Sequence, residues 1–410
     1  MTAKASLVWS VLLALTGIFI LAYIYFTLFP GKVPEAAWQY FNPAEVARAR
    51  QYQQIMRLVS IIALLANIVF LVWLVYSTRA SGWAETILRL TGGSYFPALI
   101  IYFAIIWLCL KLIGLPFSFY SSFIVQHQWG FSTQSLASWW SDYLKSSTID
   151  LVLSGSGVML LFWATGRWPQ VWWAVAGLFL SGWLLVSTFL WPLLVAPLFN
   201  TFQPINEGPV KSMVTRLADR AGINVKEVLV MDASRRTTKI NAYFSGLGTS
   251  KRIVIYDNLL NNYPLDEVEA VLAHEMAHWK QGHIIKGILW GIVANFCLLS
   301  LLYLVLKLTF TYELSLPGPY LPQLLVAMLL FWQLASFLGQ PLQNNISRRY
   351  EVEADRLALE YTANSEAMVR LQVNLARHNL SDITPPAFIE WLTYSHPPAL
   401  KRIEAATKLD

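Results

Sequence analysis

His274 and His278 stand four residues apart, and Glu275 follows the first of them directly. On an α-helix this spacing turns both imidazoles to one face, where they can share a metal ion while the neighbouring carboxylate stays free to handle a proton. Zinc in a hydrolytic site takes a third side chain and leaves one position open for water. The stretch Ser347 to Asp355 offers that side chain, with Glu351 and Asp355 at i, i+4. Glu351 is the expected third ligand. Asp355, one turn on, is expected to accept a hydrogen bond from a ligand imidazole and fix its orientation. Glu353 lies two residues from Glu351 and so points to another helix face. One zinc ion on His274, His278 and Glu351 would lower the pKa of its water toward roughly 7. Glu275 would then be the general base, passing the water's proton to a leaving amine.

Two further segments carry residues suited to this chemistry. Ser395 to Arg402 includes His396 and Arg402, an imidazole and a guanidinium that could donate to a developing oxyanion. Asn241, Ala242, Tyr243 and Phe244 form a short strand ahead of the motif helix, where an extended peptide could pair by its main chain. An ordinary half-buried strand fits the same residues equally well. His283, five residues past His278, is expected to face elsewhere, and His127 and His378 read as structural.

The elements that must position these groups are mostly membrane helices. The chain has 410 residues, 56% hydrophobic, 14% aromatic and only 13% charged, a composition that reads as a polytopic membrane protein. Seven segments are long and apolar enough to cross a bilayer, at about 7 to 28, 58 to 76, 96 to 116, 149 to 165, 170 to 193, 284 to 306 and 321 to 341. The first is too long for the apolar core of a signal peptide and lacks a cleavage site after it, so it reads as a retained helix. The fourth carries Ser154, Gly155, Ser156 and Gly157 and is expected to be packed or partly wet. Cys109 and Cys297 fall inside spans as small packing residues, with no disulfide framework.

The fold class is therefore mainly α, with a small α+β catalytic portion. Helices 1 to 5 occupy 1–200, the soluble segment with the motif helix 201–283, helices 6 and 7 284–341, and a helical tail 342–410, broken at Pro385-Pro386 and Pro397-Pro398. In the soluble segment we expect a helix near 209–221 and strands at 228–231, 242–245 and 253–256, with Gly246, Gly248 and Ser250 turning the last two. Pro264 is expected at the first position of the motif helix, followed by Asp266, Glu267 and Glu269 where the helix dipole favours negative charge.

Seven spans put the soluble segment and the tail on one side, together with 23 of the 30 Lys and Arg, Arg48, Arg50 and Arg57 among them. By the positive-inside tendency the site faces the cytoplasm. The net charge of +6 is thus an orientation signal, and no basic patch interleaved with stacking aromatics points to nucleic acid.

These segments together resemble the type I CaaX prenyl proteases, integral-membrane zinc metallopeptidases. Beyond the zinc motif, the resemblance rests on Leu115 to Tyr120, Trp129 to Ser132, Pro197 to Asn200, Asn241 to Gly246, Arg348 to Glu351 and Ser395 to Pro397, in the same order along most of the chain. Ala277 stands where many members have glycine. The resemblance implies seven helices around a water-filled chamber capped by the catalytic domain. It also implies zinc on His274, His278 and Glu351, and substrate or transition-state contacts from His396 and Arg402. The expected substrate is a peptide or protein, prenylated in the family, cut near its C-terminus. The compact soluble connections suggest a bacterial member in the inner membrane; a eukaryotic one would lie in the endoplasmic reticulum. From the residues alone a heat-shock-type membrane protease stays open, as does a transporter with structural zinc.

Overall fold

The computed structural model describes residues 3–245, 252–311, 314 and 318–408. Among the described residues, seven helices are long and apolar enough to cross a bilayer: Leu7–Leu28, Pro43–Tyr76, Tyr95–Gln128, Leu136–Arg167, Trp172–Leu198, His283–Thr309 and Leu324–Thr362. Each overlaps an expected span, the fifth and seventh starting two and three residues later than expected. The third and fifth pass through π-helical turns, Tyr120–Ile124 and Trp191–Val195. Pro116 and Pro192 lie at or just before these turns, and a proline's missing N–H breaks the regular ladder.

Four of these helices have 32 residues or more and overshoot the membrane, two of them in ways that bear on the site. Pro43–Tyr76 has 34 residues and Leu324–Thr362 has 39, about 51 and 58 Å at 1.5 Å per residue, against a hydrocarbon core of about 30 Å. The second helix starts early because Asn42 and Glu45 form a reciprocal cap, each side chain bonded to the other's backbone N–H at 2.9 Å. Arg48, Arg50 and Arg57 are consequently helical, not loop residues. Arg57 is buried, donating to Asp382 Oδ2 at 3.0 Å and to the Tyr394 hydroxyl at 2.9 Å. The seventh helix carries Glu351 and Asp355 out of the bilayer without a break, so position 341/342 falls inside one helix.

Neighbouring spans touch in chain order, first to second and on to the sixth, and the sixth returns to the first. Six helices thus form a closed ring, with the seventh against the first, second and sixth. The seventh buries 56% of its apolar window, the others 28% or less, which marks it as the helix most enclosed by protein. In the fourth, Gly155 meets Phe103 so closely that an added Cβ would stand 3.2 Å from its ring, as expected for a packed span. Cys109 and Cys297 are free thiols.

The soluble part holds a four-stranded sheet: β1 (Phe202–Pro204), β2 (Glu227–Met231), β3 (Ala242–Ser245) and β4 (Arg252–Tyr256), in the order β1-β2-β4-β3. β2 and β4 run parallel, and β3 is antiparallel to β4 at the edge. β1 has only three residues and ends in proline, which gives no alternating pattern to read. The turn expected from Gly246, Gly248 and Ser250 lies outside the described residues. Beneath the sheet, Met213 and Leu217 of helix Pro209–Ala221 join Leu272, Ala273 and Met276 of the motif helix and Ala358 and Met368 of the tail in one buried core.

The motif helix spans Leu265–Lys280, with Pro264 just ahead of it at an extended ψ of 150° instead of at its first helical position. Ala273 and Ala277, and Ala354 and Ala358 on the long helix packed beside it, are fully buried, which lets the two axes approach closely. The tail continues as helices Ser365–His378, Ala387–Thr393 and Ala399–Thr407. Pro386 and Pro398 cap the last two, where the sequence places the breaks.

Candidate active site

Two helices bring the site together: the motif helix presents His274 and His278 on one face, and the long helix lays Glu351 across them. His274 Nε2 is 3.2 Å from Glu351 Oε2, His278 Nε2 is 3.2 Å from Glu351 Oε1, and the two Nε2 atoms are 3.1 Å apart. Donor atoms about 2.0–2.1 Å from one ion at tetrahedral angles lie about 3.3 Å from each other. The two imidazoles meet different oxygens of one carboxylate, and a donor atom from each of the three residues lies within reach of one metal ion. The donor chemistry agrees, because Glu351 Oε2 is buried with no hydrogen-bond donor.

His274 Nδ1 approaches Asp355 Oδ1 at 2.8 Å, where the sequence places Asp355. Burial works against a charged His274, but the carboxylates of Asp355 and Glu351 outweigh it and raise its pKa to about 9. Arg402 clamps Asp355 from behind, Nε to Oδ2 at 2.7 Å and Nη2 to Oδ1 at 2.5 Å. Its partner is thus the carboxylate beside His274 Nδ1, and not an open space at the centre of the cluster. His396 does face the site, with Nε2 3.3 Å from Glu351 Oε2 and Nδ1 2.9 Å from the Ser395 hydroxyl. Arg348 holds that loop by donating to the carbonyls of Glu390 and Tyr394 at 2.9 and 2.5 Å.

Glu275 has no hydrogen bond or ion pair to another described residue, so its carboxylate is available to a water. Burial raises its pKa above the ordinary carboxylate value, the nearby histidines acting in the opposite sense. Such a shift suits a group that must accept a proton and give it up again.

Beside the motif helix, β3 forms the sheet's edge, and Phe244 leans on Trp279 at 5.9 Å between ring centres. Tyr256 N donates to Asn241 O at 3.0 Å. With Ala242 opposite Ile255 in the register, Asn241 and Tyr243 face β4, while Ala242 and Phe244 turn their main-chain groups outward. Asn241 Oδ1 caps the Ala242 N–H at 2.9 Å. The outward carbonyls and the Phe244 N–H are left on the rim.

Several residues escaped the sequence reading. His283 is not turned away: Gly282 adopts φ 66°, the motif helix ends, and His283 opens the next helix against His278. The signal was present in that glycine, a common helix stop. Arg348 and the pairing of Arg57 with Asp382 left no such trace, because their partners are distant in sequence. His127 and His378 are structural, bonded to the carbonyls of Phe123 and Gln134 and to the Tyr263 hydroxyl.

A model of peptidase family M48 matches residues 204–410, and a model described as CAAX prenyl protease N-terminal, five membrane helices, matches residues 25–201. The chain belongs to peptidase family M48. The uncharacterized metalloprotease YhfN of Bacillus subtilis is 30% identical over 411 residues, covering 95% of each chain. CAAX prenyl protease 1 of Saccharomyces cerevisiae is 31% identical over 315 residues, 72% of this chain and 68% of that one. The crystal structure of S. mikatae Ste24p matches with a TM-score of 0.84 at 25% identity, over 99% of both chains. This M48 protein is a multi-pass membrane metalloendopeptidase of the CAAX prenyl protease type, and the transporter reading falls.

Several segments behind the resemblance are joints between membrane and soluble parts. The Phe131 carbonyl accepts from the Thr238 N–H and the Thr237 hydroxyl, both at 3.0 Å. Asn200 Oδ1 accepts from Arg236, which also grips Asp142 of the fourth span at 2.7 and 3.2 Å.

Proposed function

We propose that this protein is a zinc endopeptidase that cuts peptides of the CaaX type near their C-terminus, with His274, His278 and Glu351 as ligands. The observation that carries the reading is the cluster of His274 Nε2, His278 Nε2 and the Glu351 carboxylate at contacts of 3.1–3.2 Å, with Glu275 beside it and unpartnered among the described residues. Zinc bound there would supply a Lewis acid that polarises the scissile carbonyl and makes water more acidic. Glu275 accepts the proton of the attacking water and delivers it to the leaving nitrogen. His396 Nε2 donates to the oxygen on which negative charge develops. Asp355, held by Arg402, keeps His274 in one tautomer with Nε2 toward the site. The outward groups of Ala242 and Phe244 pair with the extended substrate and align its scissile bond.

The distribution of Lys and Arg supports a site facing the cytoplasm, and the relative in Bacillus subtilis supports a bacterial origin. The closed ring supports an interior chamber that admits a lipid-bearing chain end, the CAAX relatives supporting prenylated substrates. Incubating the purified, metal-loaded protein with farnesylated and unmodified forms of one CaaX peptide, followed by mass spectrometry, tests both points. Cleavage of neither form rejects the substrate class. Equal cleavage of both rejects the need for the lipid.

A further inference from the structure

The two ligand histidines are supported in different ways. His274 has a carboxylate behind it, the usual partner of a metal-bound imidazole. Behind His278 stands a second imidazole: His278 Nδ1 is 2.9 Å from His283 Nδ1, and His283 Nε2 is 3.1 Å from Glu353 Oε2. The protons along this row can be assigned. Nε2 of His278 faces Glu351 and His274 and must keep its lone pair for a metal, so the proton of the neutral ring sits on Nδ1. That proton can only be donated to His283 Nδ1, which places the His283 proton on Nε2. Glu353, as a carboxylate, accepts it. With both rings neutral, no other arrangement makes both hydrogen bonds.

The row is also held in place. His283 is 5% exposed and stacks on Tyr350, with ring centres 4.3 Å apart and planes 10° from parallel. The left-handed Gly282 breaks the helix between the two histidines, which lets a residue five positions on come back against His278. Tyr350 and Glu353 flank Glu351 on the long helix, so the helix that supplies a ligand also supplies the base of the row.

We propose that His283 and Glu353 are positioning residues that fix the tautomer and ring orientation of His278 and raise its basicity as a ligand, as Asp355 does for His274. This rests on the metal site proposed above. The test uses the full-length protein in detergent, with zinc affinity read by chelator competition and the visible absorption of the cobalt-substituted protein as a second readout. His283→Phe keeps a ring over Tyr350 and removes both nitrogens. It is expected to weaken zinc binding about 10-fold to 100-fold and to change the cobalt spectrum. Glu353→Ala should weaken binding by less, and Glu353→Gln, whose carbonyl can still accept from His283, should recover most of the loss. Should His283→Phe fail to fold, the Glu353 pair decides, since that side chain is 43% exposed and removing it leaves the core intact. Folded His283→Phe with wild-type affinity and spectrum overturns the proposal, as does Glu353→Ala at wild-type affinity or Glu353→Gln as weak as Glu353→Ala. His278→Ala is the control. If it binds zinc as wild type does, the metal site itself is wrong; if it loses zinc, a failure at His283 refutes only the relay.

Discussion

His396 and Arg402 sit six residues apart in the tail, yet truncating them should have different consequences. The His396 side chain is 56% exposed and, among the described residues, reaches Glu351 and Ser395. Its removal leaves nothing buried without a partner. If it donates to the oxyanion, His396→Ala should cost about 10²-fold to 10³-fold in kcat, or about 2.7–4 kcal/mol, with zinc affinity and thermal stability unchanged. Arg402 and Asp355 are each 14% exposed and joined by two charge-assisted hydrogen bonds. Arg402→Ala strands the Asp355 charge in a dry setting, which typically destabilises by about 3–5 kcal/mol, and it releases the group that orients His274. Stability should fall, and zinc affinity should drop about 10-fold to 100-fold before any effect on turnover is considered. Adding Asp355→Asn to Arg402→Ala removes the stranded charge and should return much of the stability, a coupling expected of groups in contact. The assays are thermal unfolding, chelator competition and steady-state cleavage of one peptide by zinc-loaded variants. Arg402→Ala with wild-type stability and zinc affinity but a reduced kcat would refute the clamp and make Arg402 a donor to the reacting atoms.

Glu275→Gln should keep zinc and lose about 10²-fold to 10⁴-fold in turnover, because the amide preserves shape and removes the base; near-normal cleavage would remove Glu275 from the mechanism. Glu351→Ala should purify without stoichiometric zinc while Glu353→Ala retains it at saturating metal, and metal analysis with the reverse result would exchange their roles. In the chelated protein, the His274 pKa raised from 6.5 to about 9 contributes stability that is complete below 6.5 and lost as pH rises through about 9. Melting temperature should therefore fall across that window in the metal-free form, and a flat profile would contradict it. Replacing single substrate amides near the scissile bond by N-methyl amides should raise KM if β3 pairs with the peptide; unchanged KM at every position would return β3 to a purely structural role.

The sequence by itself determined whatever is local in the chain. The i, i+4 spacing places His274 and His278 on one helix face, and Glu351 and Asp355 on another, whatever the rest of the molecule does. Apolar length marks the seven spans, and paired prolines mark the tail breaks, because a bilayer and a missing N–H act on the nearest residues. Only the tertiary structure decided which groups meet across long stretches of chain. Arg402 is 47 positions from Asp355, Glu353 is 70 from His283, and Arg57 is 325 from Asp382. Each pair depends on how closely packed helices align, and side-chain spacing carries no information about that alignment. His283 lies between the two cases: the glycine that reverses the chain is visible in the sequence, but the direction in which the next helix leaves it is set by the membrane bundle and the long helix it packs against.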